Sequence, residues 1–363
     1  MSSTWGKNIQ LSIFGESHGP EIGVIISGLP AGLKLDMAEI RHHLSRRAPG
    51  QSALSTPRKE ADEPIFKSGI LNDITTGAPL CICFKNTDTK SHHYNEMASL
   101  MRPGHSDYPA QVKYNGHNDI RGGGHFSGRL TAPMVAAGSI CRQFLRQKGI
   151  EVYAHISAIA GINDAPTDWV QPDLAALAVL RQKEFAALSD TQGKKMKTAI
   201  LDAKQNLNSV GGTVECIAVG VPAGLGSPMF RNTESVVSSF LYAVPAVKGV
   251  SFGSGFDCTC MTGEENNDTY YLDGGVKTHT NHCGGILGGI TNGMPIVVHT
   301  AFKPTPTIGK EQRTFDIHTM QEGVLAGKGR HDPCIVPRAV VVVESALAIS
   351  LMDLWLDEYP ESI

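Results

Sequence analysis

The chain has 363 residues, of which 41% are hydrophobic and 18% charged, so it can bury one or two ordinary cores and is expected to be globular. Its net charge of -3 excludes the general basic excess that duplex nucleic-acid binding usually needs. The N-terminal residues lack the apolar run of a signal peptide, and no later segment approaches the roughly 18 uncharged apolar residues of a membrane span. We therefore expect a cytoplasmic protein.

The glycine and cysteine residues indicate which kinds of binding site the chain could form. The chain holds 39 glycines and shows no collagen-like period, and glycine clusters are candidate binding loops because glycine lets the backbone approach a ligand closely. The eight cysteines form no pairs with zinc-ligand spacing. We expect them to be reduced, mostly buried thiols that pack as small apolar groups.

The pattern of apolar residues predicts similar elements in the two halves of the chain. In the first half these are a strand, a helix with Asp36 as its N-cap, a second strand and a closing helix, at 24–27, 37–48, 80–84 and 130–148. The second half is expected to contain a strand, a helix, two further strands and a closing helix, at 214–219, 233–242, 296–301, 339–343 and 344–355. Helical stretches are predicted between the halves, at 173–188 and 194–207.

Two short motifs recur in the same order in both halves. The pattern G-I-L-x-x-I-T-x-G-x-P-apolar occupies 69–80 and again 285–296. Each copy is preceded by the pattern G-x-P-A-G-L, in which x is an apolar residue, at 28–33 and 220–225. Chance agreement at so many fixed positions is very unlikely, so the halves are expected to share one structural plan.

This repeat predicts an α+β fold: a single-domain β-α sandwich with an internal pseudo-two-fold repeat. The domain spans 1–363, with halves at about 1–150 and 210–363 and a helical connection at about 160–208. A ligand site shared between the halves is expected to follow from this arrangement.

The first candidate site is the segment F-G-E-S-H-G at 14–19, in which small residues flank His18. An imidazole that is accessible in this way suits acid or base catalysis. A turn with a capping serine and an incidental histidine is the structural alternative.

The second candidate combines R-P-G-H-S-D-Y at 102–108, which exposes His105, with R-G-G-G-H-F-S-G-R at 121–129. Consecutive glycines before a helix present backbone N–H groups, which suits an anion or the polar edge of a flavin. A solvated loop histidine and a flexible linker are the alternatives.

The third candidate is K-G-R-H-D-P-C at 328–334, where Arg330 suits phosphate or carboxylate and Asp332 could orient that arginine or act as a base. A surface ion pair explains the same residues. Arg46 and Arg47 add positive charge at a helix end, where complementing the helix dipole is the ordinary role.

A metal site is not expected. His42–His43 and His92–His93 are adjacent pairs whose side chains point apart, and the sequence has no H-E-x-x-H motif. Exposed histidines, arginines and glycine loops with few carboxylates favour a site for an anionic substrate.

Taken together, the motifs resemble the chorismate synthase family over nearly the whole chain. The strings that carry the resemblance occur in the family's order: F-G-E-S-H-G (14–19), R-R-x-P-G (46–50), N-T-D (86–88), R-P-G-H-x-D-Y (102–108), R-G-G-G-x-x-S-x-R (121–129), G-V-P-A-G-L-G (220–226), A-V-K-G-V-x-x-G-x-G-F-D (246–257), N-H-x-G-G-I-L-G-G-I (281–290), K-P-T (303–305) and G-R-H-D-P-C (329–334).

The resemblance implies a lyase that eliminates phosphate from 5-enolpyruvylshikimate 3-phosphate to give chorismate, the last step of the shikimate pathway. It implies an anti-1,4-elimination that needs reduced FMN without net redox change. It also implies a homotetramer. NADPH would serve only indirectly as a source of electrons, through an external flavin reductase, because the insertions of forms that reduce their own flavin are not evident.

Site residues follow from the same resemblance. His105 resembles the acid that assists phosphate departure, His18 the residue that interacts with reduced flavin, and Asp332 the residue that manages the ring proton. The implied substrate ligands are Arg47, Ser127, Arg129 and Arg330. The implied flavin contacts are His125, Phe126, Ser127, Ala246, Gly288, Lys303, Pro304, Thr305, Pro306, Thr307 and Arg330.

The chain departs from the family pattern at five positions: Ala53, His125, Phe126, Gly128 and Leu130. Ala53 stands where an arginine is common, which weakens the expected anion clamp and any nicotinamide contact. Two other classes stay open on the residues alone. A non-catalytic flavin- or phosphate-binding module would keep the loops and arginines, and a metal-dependent phosphatase would need a ligand set that the sequence does not offer.

Overall fold

The computed structural model describes residues 3–50, 54, 60–87, 99–327 and 332–360. Its elements up to residue 150 are β1 (Thr4–Trp5), β2 (Gln10–Gly15), β3 (Glu21–Ser27), α1 (Met37–Arg47), β4 (Ile65–Ser68), β5 (Ile70–Leu71), β6 (Ile74–Thr75), β7 (Leu80–Lys85), α2 (Asp107–Lys113) and α3 (Thr131–Gln147).

The rest of the described chain contains β8 (Glu151–Ile159), β9 (Ile162–Asn163), α4 (Leu174–Leu180), α5 (Asp190–Gln205), β10 (Gly212–Val219), α6 (Thr233–Leu241), β11 (Val247–Phe252), α7 (Gly263–Asn266), β12 (Tyr270–Leu272), β13 (Val276–Thr278), β14 (Ile286–Leu287), β15 (Ile290–Thr291), β16 (Ile296–Phe302), β17 (Glu311–Phe315), β18 (Glu322–Ala326) and α8 (Val336–Glu358).

Two antiparallel sheets enclose a layer of helices. The first sheet has the strand order β1-β2-β3-β7-β4, and the second has β11-β16-β10-β8-β9. Helix α3 packs on β3 and β7, helix α8 packs on β8 and β10, and the two helices pack on each other. The main core therefore lies between the sheets, and the mixture of helices with antiparallel strands confirms the predicted α+β class.

The repeated motifs form the same structure in both halves. The first copy of the longer motif is the hairpin β5–β6, and the second copy is the hairpin β14–β15. In the first half the N–H of Leu33 donates to Thr75 Oγ1 at 2.9 Å, and this hydroxyl donates to the carbonyl of Pro30 at 2.5 Å. The second half repeats both bonds, at 2.9 and 2.6 Å, with Leu225, Thr291 and Pro222.

The C-terminal helix corrects two expectations. The valine-rich segment 339–343, predicted as a strand, lies inside α8, which begins at Val336 with a proline in its first turn. β-branched residues favour strands on local propensity, but here burial between two sheets decides the conformation. This helix is also long and apolar enough to cross a membrane, contrary to the expectation, yet 94% of that stretch is buried inside the protein.

Capping side chains mark the start of several other helices. Helix α1 begins as predicted, because Asp36 accepts from the N–H groups of Ala38 and Glu39. The helix predicted over 173–188 is shorter than expected and ends at Leu180. The last part of the predicted range is not helical, and the N–H groups of Leu188 and Ser189 donate to the carboxylate of Asp164 just before α5 begins.

Candidate active site

A cavity of about 570 Å³ collects side chains from both halves of the chain, which is the size of an ordinary small-molecule site. Nearly all of the predicted site residues that the structure describes line it: His18, Arg47, His105, His125, Phe126, Ser127, Arg129, Ala246, Lys303, Thr305, Pro306, Thr307 and Asp332.

Two of the residues named from the sequence lie outside the cavity lining, and two fall in segments that the structure does not describe. Gly288 is exposed in the turn of the β14–β15 hairpin, away from the cavity lining. Pro304 is exposed beside lining residues and is not among them. Arg330 and the departure at Ala53 fall outside the described residues.

The glycine loop at 121–126 lies against both candidate histidines. Gly122 and Gly123 have φ of 59° and 85°, values that other residues rarely adopt. A Cβ on Gly122 would lie 2.0 Å from Nδ1 of His18, and a Cβ on Gly123 would lie 3.1 Å from Nε2 of His105. The loop therefore packs closely against both imidazole rings. This close packing contradicts its interpretation as a flexible linker.

Replacing Gly122 by alanine should displace the His18 ring and lower turnover by about 10- to 100-fold, because misplacing a catalytic group by about 1 Å carries such a cost. The backbone strain adds roughly 1 to 2 kcal/mol of destabilisation. Steady-state kinetics and thermal unfolding measure the two effects.

Gly263→Ala is the matched control, since a Cβ there meets no atom within 4 Å and φ is unstrained. Wild-type turnover in folded Gly122→Ala would contradict the expectation that a displaced His18 lowers activity.

The two arginines expected to bind anions are buried and paired with carboxylates. Arg47 is 3% exposed and donates to Asp62 at 2.5 Å, and burial lowers the pKa of its guanidinium to about 10. Arg129 is 4% exposed and donates to the other oxygen of Asp62, to Asn86 and to the backbone, and its Nε lies 3.0 Å from a carboxylate oxygen of Glu60.

Sequence reasoning missed Glu60 and Asp62. The available signal was a pair of acidic residues, two positions apart, in a chain segment that also carries several basic residues. Glu60 lines the cavity, Asp62 is buried behind the lining, and both carboxylates balance the charge of the arginines. Substituting Arg129 therefore removes one cation from these two buried carboxylates, although Asp62 keeps its ion pair with Arg47. Removing one partner of a buried ion pair costs about 3 to 5 kcal/mol in comparable cases, and the remaining arginine should reduce that cost here.

Arg46 points away from the cavity into a buried charge cluster. Its Nη1 lies 2.5 Å from Glu344 on α8. Burial would raise the pKa of Glu344, but the guanidinium groups of Arg46, Arg142 and Arg181 outweigh it and lower the pKa to about 2. The helix-dipole interpretation of Arg46 and Arg47 thus misses their main contacts, which are buried ion pairs.

Asp332 forms an ion pair that the sequence did not reveal. Nη1 of Arg338 donates to its carboxylate at 2.5 Å, and Nε of the same arginine donates to the backbone carbonyl of Arg47 at 2.9 Å. Arg338 was missed because the segment that follows it was predicted as a strand. The helix that actually forms there turns this arginine toward the cavity.

The cavity lining also includes a lysine and a hydroxyl group that has no hydrogen-bond partner among the described residues. Nζ of Lys303 donates to the carbonyl of Gly104. The pKa of Lys303 is lowered, mainly by burial and to a smaller extent by the positive charge of Lys248. Among the described residues, the buried Oγ1 of Thr305 finds no hydrogen-bond partner. A cation and a spare hydroxyl in the cavity lining fit a polar, anionic ligand group such as the phosphate side chain of a flavin nucleotide.

In the part of the chain that the structure describes, no group of three or more His, Cys, Asp or Glu side chains could bind a metal ion. The donors that face the cavity are instead guanidinium, ammonium, imidazole and hydroxyl groups. This set of donors suits an anionic substrate.

Comparison with known proteins gives one consistent result. A family model described as chorismate synthase matches residues 9–356. Proteins named chorismate synthase from Korarchaeum cryptofilum and Dehalococcoides mccartyi are 44% and 42% identical, over 96% and 98% of this chain and 96% and 97% of theirs. A crystal structure of a chorismate synthase superimposes with a TM-score of 0.77 at 29% identity, covering 98% of this chain and 93% of that one.

Proposed function

Because this chain belongs to the chorismate synthase family, we propose that it eliminates phosphate from 5-enolpyruvylshikimate 3-phosphate to give chorismate, with the cavity as its active site. The observation that supports this most directly is the arrangement of His18 and His105 against one glycine loop, in a cavity that also holds several arginines. A non-catalytic binding module would have no need for two imidazoles fixed in this way.

Reduced FMN is the proposed cofactor. When bound, it supplies an electron-rich ring system that promotes the loss of phosphate, with no net redox change. The cavity residues that would hold it are Ser127, Ala246, Lys303, Thr305 and Thr307, with His125 and Phe126 at the edge of the glycine loop. NADPH enters this proposal only as an electron source for an external flavin reductase.

Within the cavity, the protein's own residues divide the work of elimination. His105 donates a proton from Nε2 to the departing phosphate, and a carboxylate oxygen of Asp332 takes part in removing the ring proton. Arg47 is the better placed anion ligand, because its one side-chain hydrogen bond to the described residues, with Asp62, leaves other N–H groups of its guanidinium for the substrate. Arg129, with its N–H groups directed at protein acceptors, holds Glu60 and Asp62 in place.

A homotetramer in the cytoplasm is the proposed state of the protein. Large apolar side chains stand exposed on the second half, among them Met229, Phe230, Phe256 and Leu272, which are 76%, 90%, 86% and 84% exposed. Exposed apolar surface of this kind is typical of association sites, and copies of the same chain are the proposed occupants.

Anaerobic incubation of the protein with FMN, dithionite and 5-enolpyruvylshikimate 3-phosphate tests the proposal. Chorismate absorbance and phosphate should appear together, and oxidised FMN in air without reductant should give neither. Phosphate release without chorismate would favour a phosphatase, and turnover without flavin would contradict the proposed cofactor.

A further inference from the structure

His105 contacts a carboxylate that an arginine also holds. Its Nδ1 lies 2.7 Å from Oδ1 of Asp107, the first residue of α2. Arg102 donates to both oxygens of this carboxylate, from Nη2 and from Nε, each at 2.7 Å. Asp107 is 8% exposed, so the three groups form a nearly buried unit beside the cavity.

Arg102 keeps this carboxylate charged. Burial would raise the pKa of Asp107, but hydrogen bonds from His105 and Arg102 outweigh it and hold the pKa well below its ordinary value. An ionised carboxylate accepts hydrogen bonds and cannot donate them. The hydrogen in the contact with Asp107 therefore lies on Nδ1 of His105.

The second nitrogen of the ring is then left for proton exchange, since the partner of one imidazole nitrogen decides the state of the other. Nε2 is the ring atom nearest to the position of a Cβ on Gly123, at 3.1 Å. The ring thus turns Nδ1 to the carboxylate and Nε2 toward the glycine loop of the cavity.

We propose that Asp107, clamped by Arg102, is the positioning residue of His105: it fixes the ring with Nε2 toward the leaving phosphate and balances the positive charge of the protonated ring. This inference rests on the proposed function, because it takes His105 as the acid of the elimination. Asp107 itself is not among the residues that line the cavity.

Asp107→Asn preserves the shape of the side chain and removes its charge. We expect kcat to fall about 10- to 100-fold, by analogy with residues that orient metal-binding histidines, while KM for the substrate changes less than about threefold. Anaerobic kinetics with saturating reduced FMN measure both constants.

The pH profile separates positioning from a merely structural role. Among the residues that the structure describes, the charged groups that contact the His105 ring are Asp107 and Arg102, and Lys303 donates to the neighbouring carbonyl of Gly104. Without the negative charge of Asp107 the protonated ring is less stable, so the alkaline limb of kcat should move to lower pH in Asp107→Asn. Arg102→Gln removes a positive charge beside the same ring and should move that limb to higher pH.

Asp268→Asn is the matched control, because Asp268 is also a buried carboxylate near a histidine, 3.8 Å from His282, and lies away from the cavity lining. It should leave kcat and its pH profile unchanged. The inference is overturned if folded Asp107→Asn keeps its kcat while His105→Ala loses activity, or if the Asp107 and Arg102 variants shift the alkaline limb in the same direction. If His105→Ala is itself fully active, the proposed acid of the elimination fails first.

Discussion

Replacing His105 by alanine is expected to lower turnover by about 10² to 10⁴, the usual contribution of a positioned general acid. The ring is 17% exposed and held by Asp107, so its removal deletes the proton donor without emptying a large part of the core. Single-turnover kinetics under anaerobic conditions, with saturating reduced FMN and substrate, measure the chemical step apart from binding.

His117→Ala provides the comparison for this experiment, because His117 is exposed in the same region and lies outside the cavity lining. Its turnover should equal that of the wild type. His18→Ala should lose activity on the same scale as His105→Ala, since both rings contact the glycine loop. A fall of less than about threefold in either cavity variant would return that histidine to the role of an ordinary loop residue.

Much of the fold could be predicted because its determinants are local. The cap at Asp36 and the paired copies of the G-I-L-x-x-I-T motif fix a helix start and two equivalent hairpins within short stretches of chain. The conformation of 339–343 could not be predicted in this way, since it depends on two sheets that are built from distant segments. Local valine propensity favours a strand there, and only the surrounding core makes it a helix.

The candidate site divides in the same manner. The accessible histidines could be predicted from the sequence, because neighbouring glycines have no side chains that could cover the imidazole ring. The contacts that hold the arginines could not, since Asp62 meets Arg47 from 15 residues away and Arg129 from 67 residues away. Nothing in the local sequence indicates which of several nearby carboxylates a buried guanidinium will meet.

Asp332→Asn should bind FMN with near-normal affinity and unfold within a few degrees of the wild type, yet lose at least about 10² in turnover. The amide is nearly the same shape as the carboxylate, so it can still accept a hydrogen bond from Arg338, the observed partner of Asp332. It carries no charge and cannot accept the ring proton. Flavin titration, thermal unfolding and anaerobic single-turnover kinetics measure the three quantities.

Arg338→Gln distinguishes proton removal from scaffolding, because it breaks the same ion pair from the other side. If Asp332 serves only to hold Arg338 over the carbonyl of Arg47, Asp332→Asn keeps that hydrogen bond and should lose no more activity than Arg338→Gln, which removes the guanidinium. If Asp332 takes part in moving the proton, Asp332→Asn should be the slower enzyme by at least about tenfold, since Arg338→Gln retains the carboxylate. Near-wild-type turnover in Asp332→Asn would assign this residue to scaffolding.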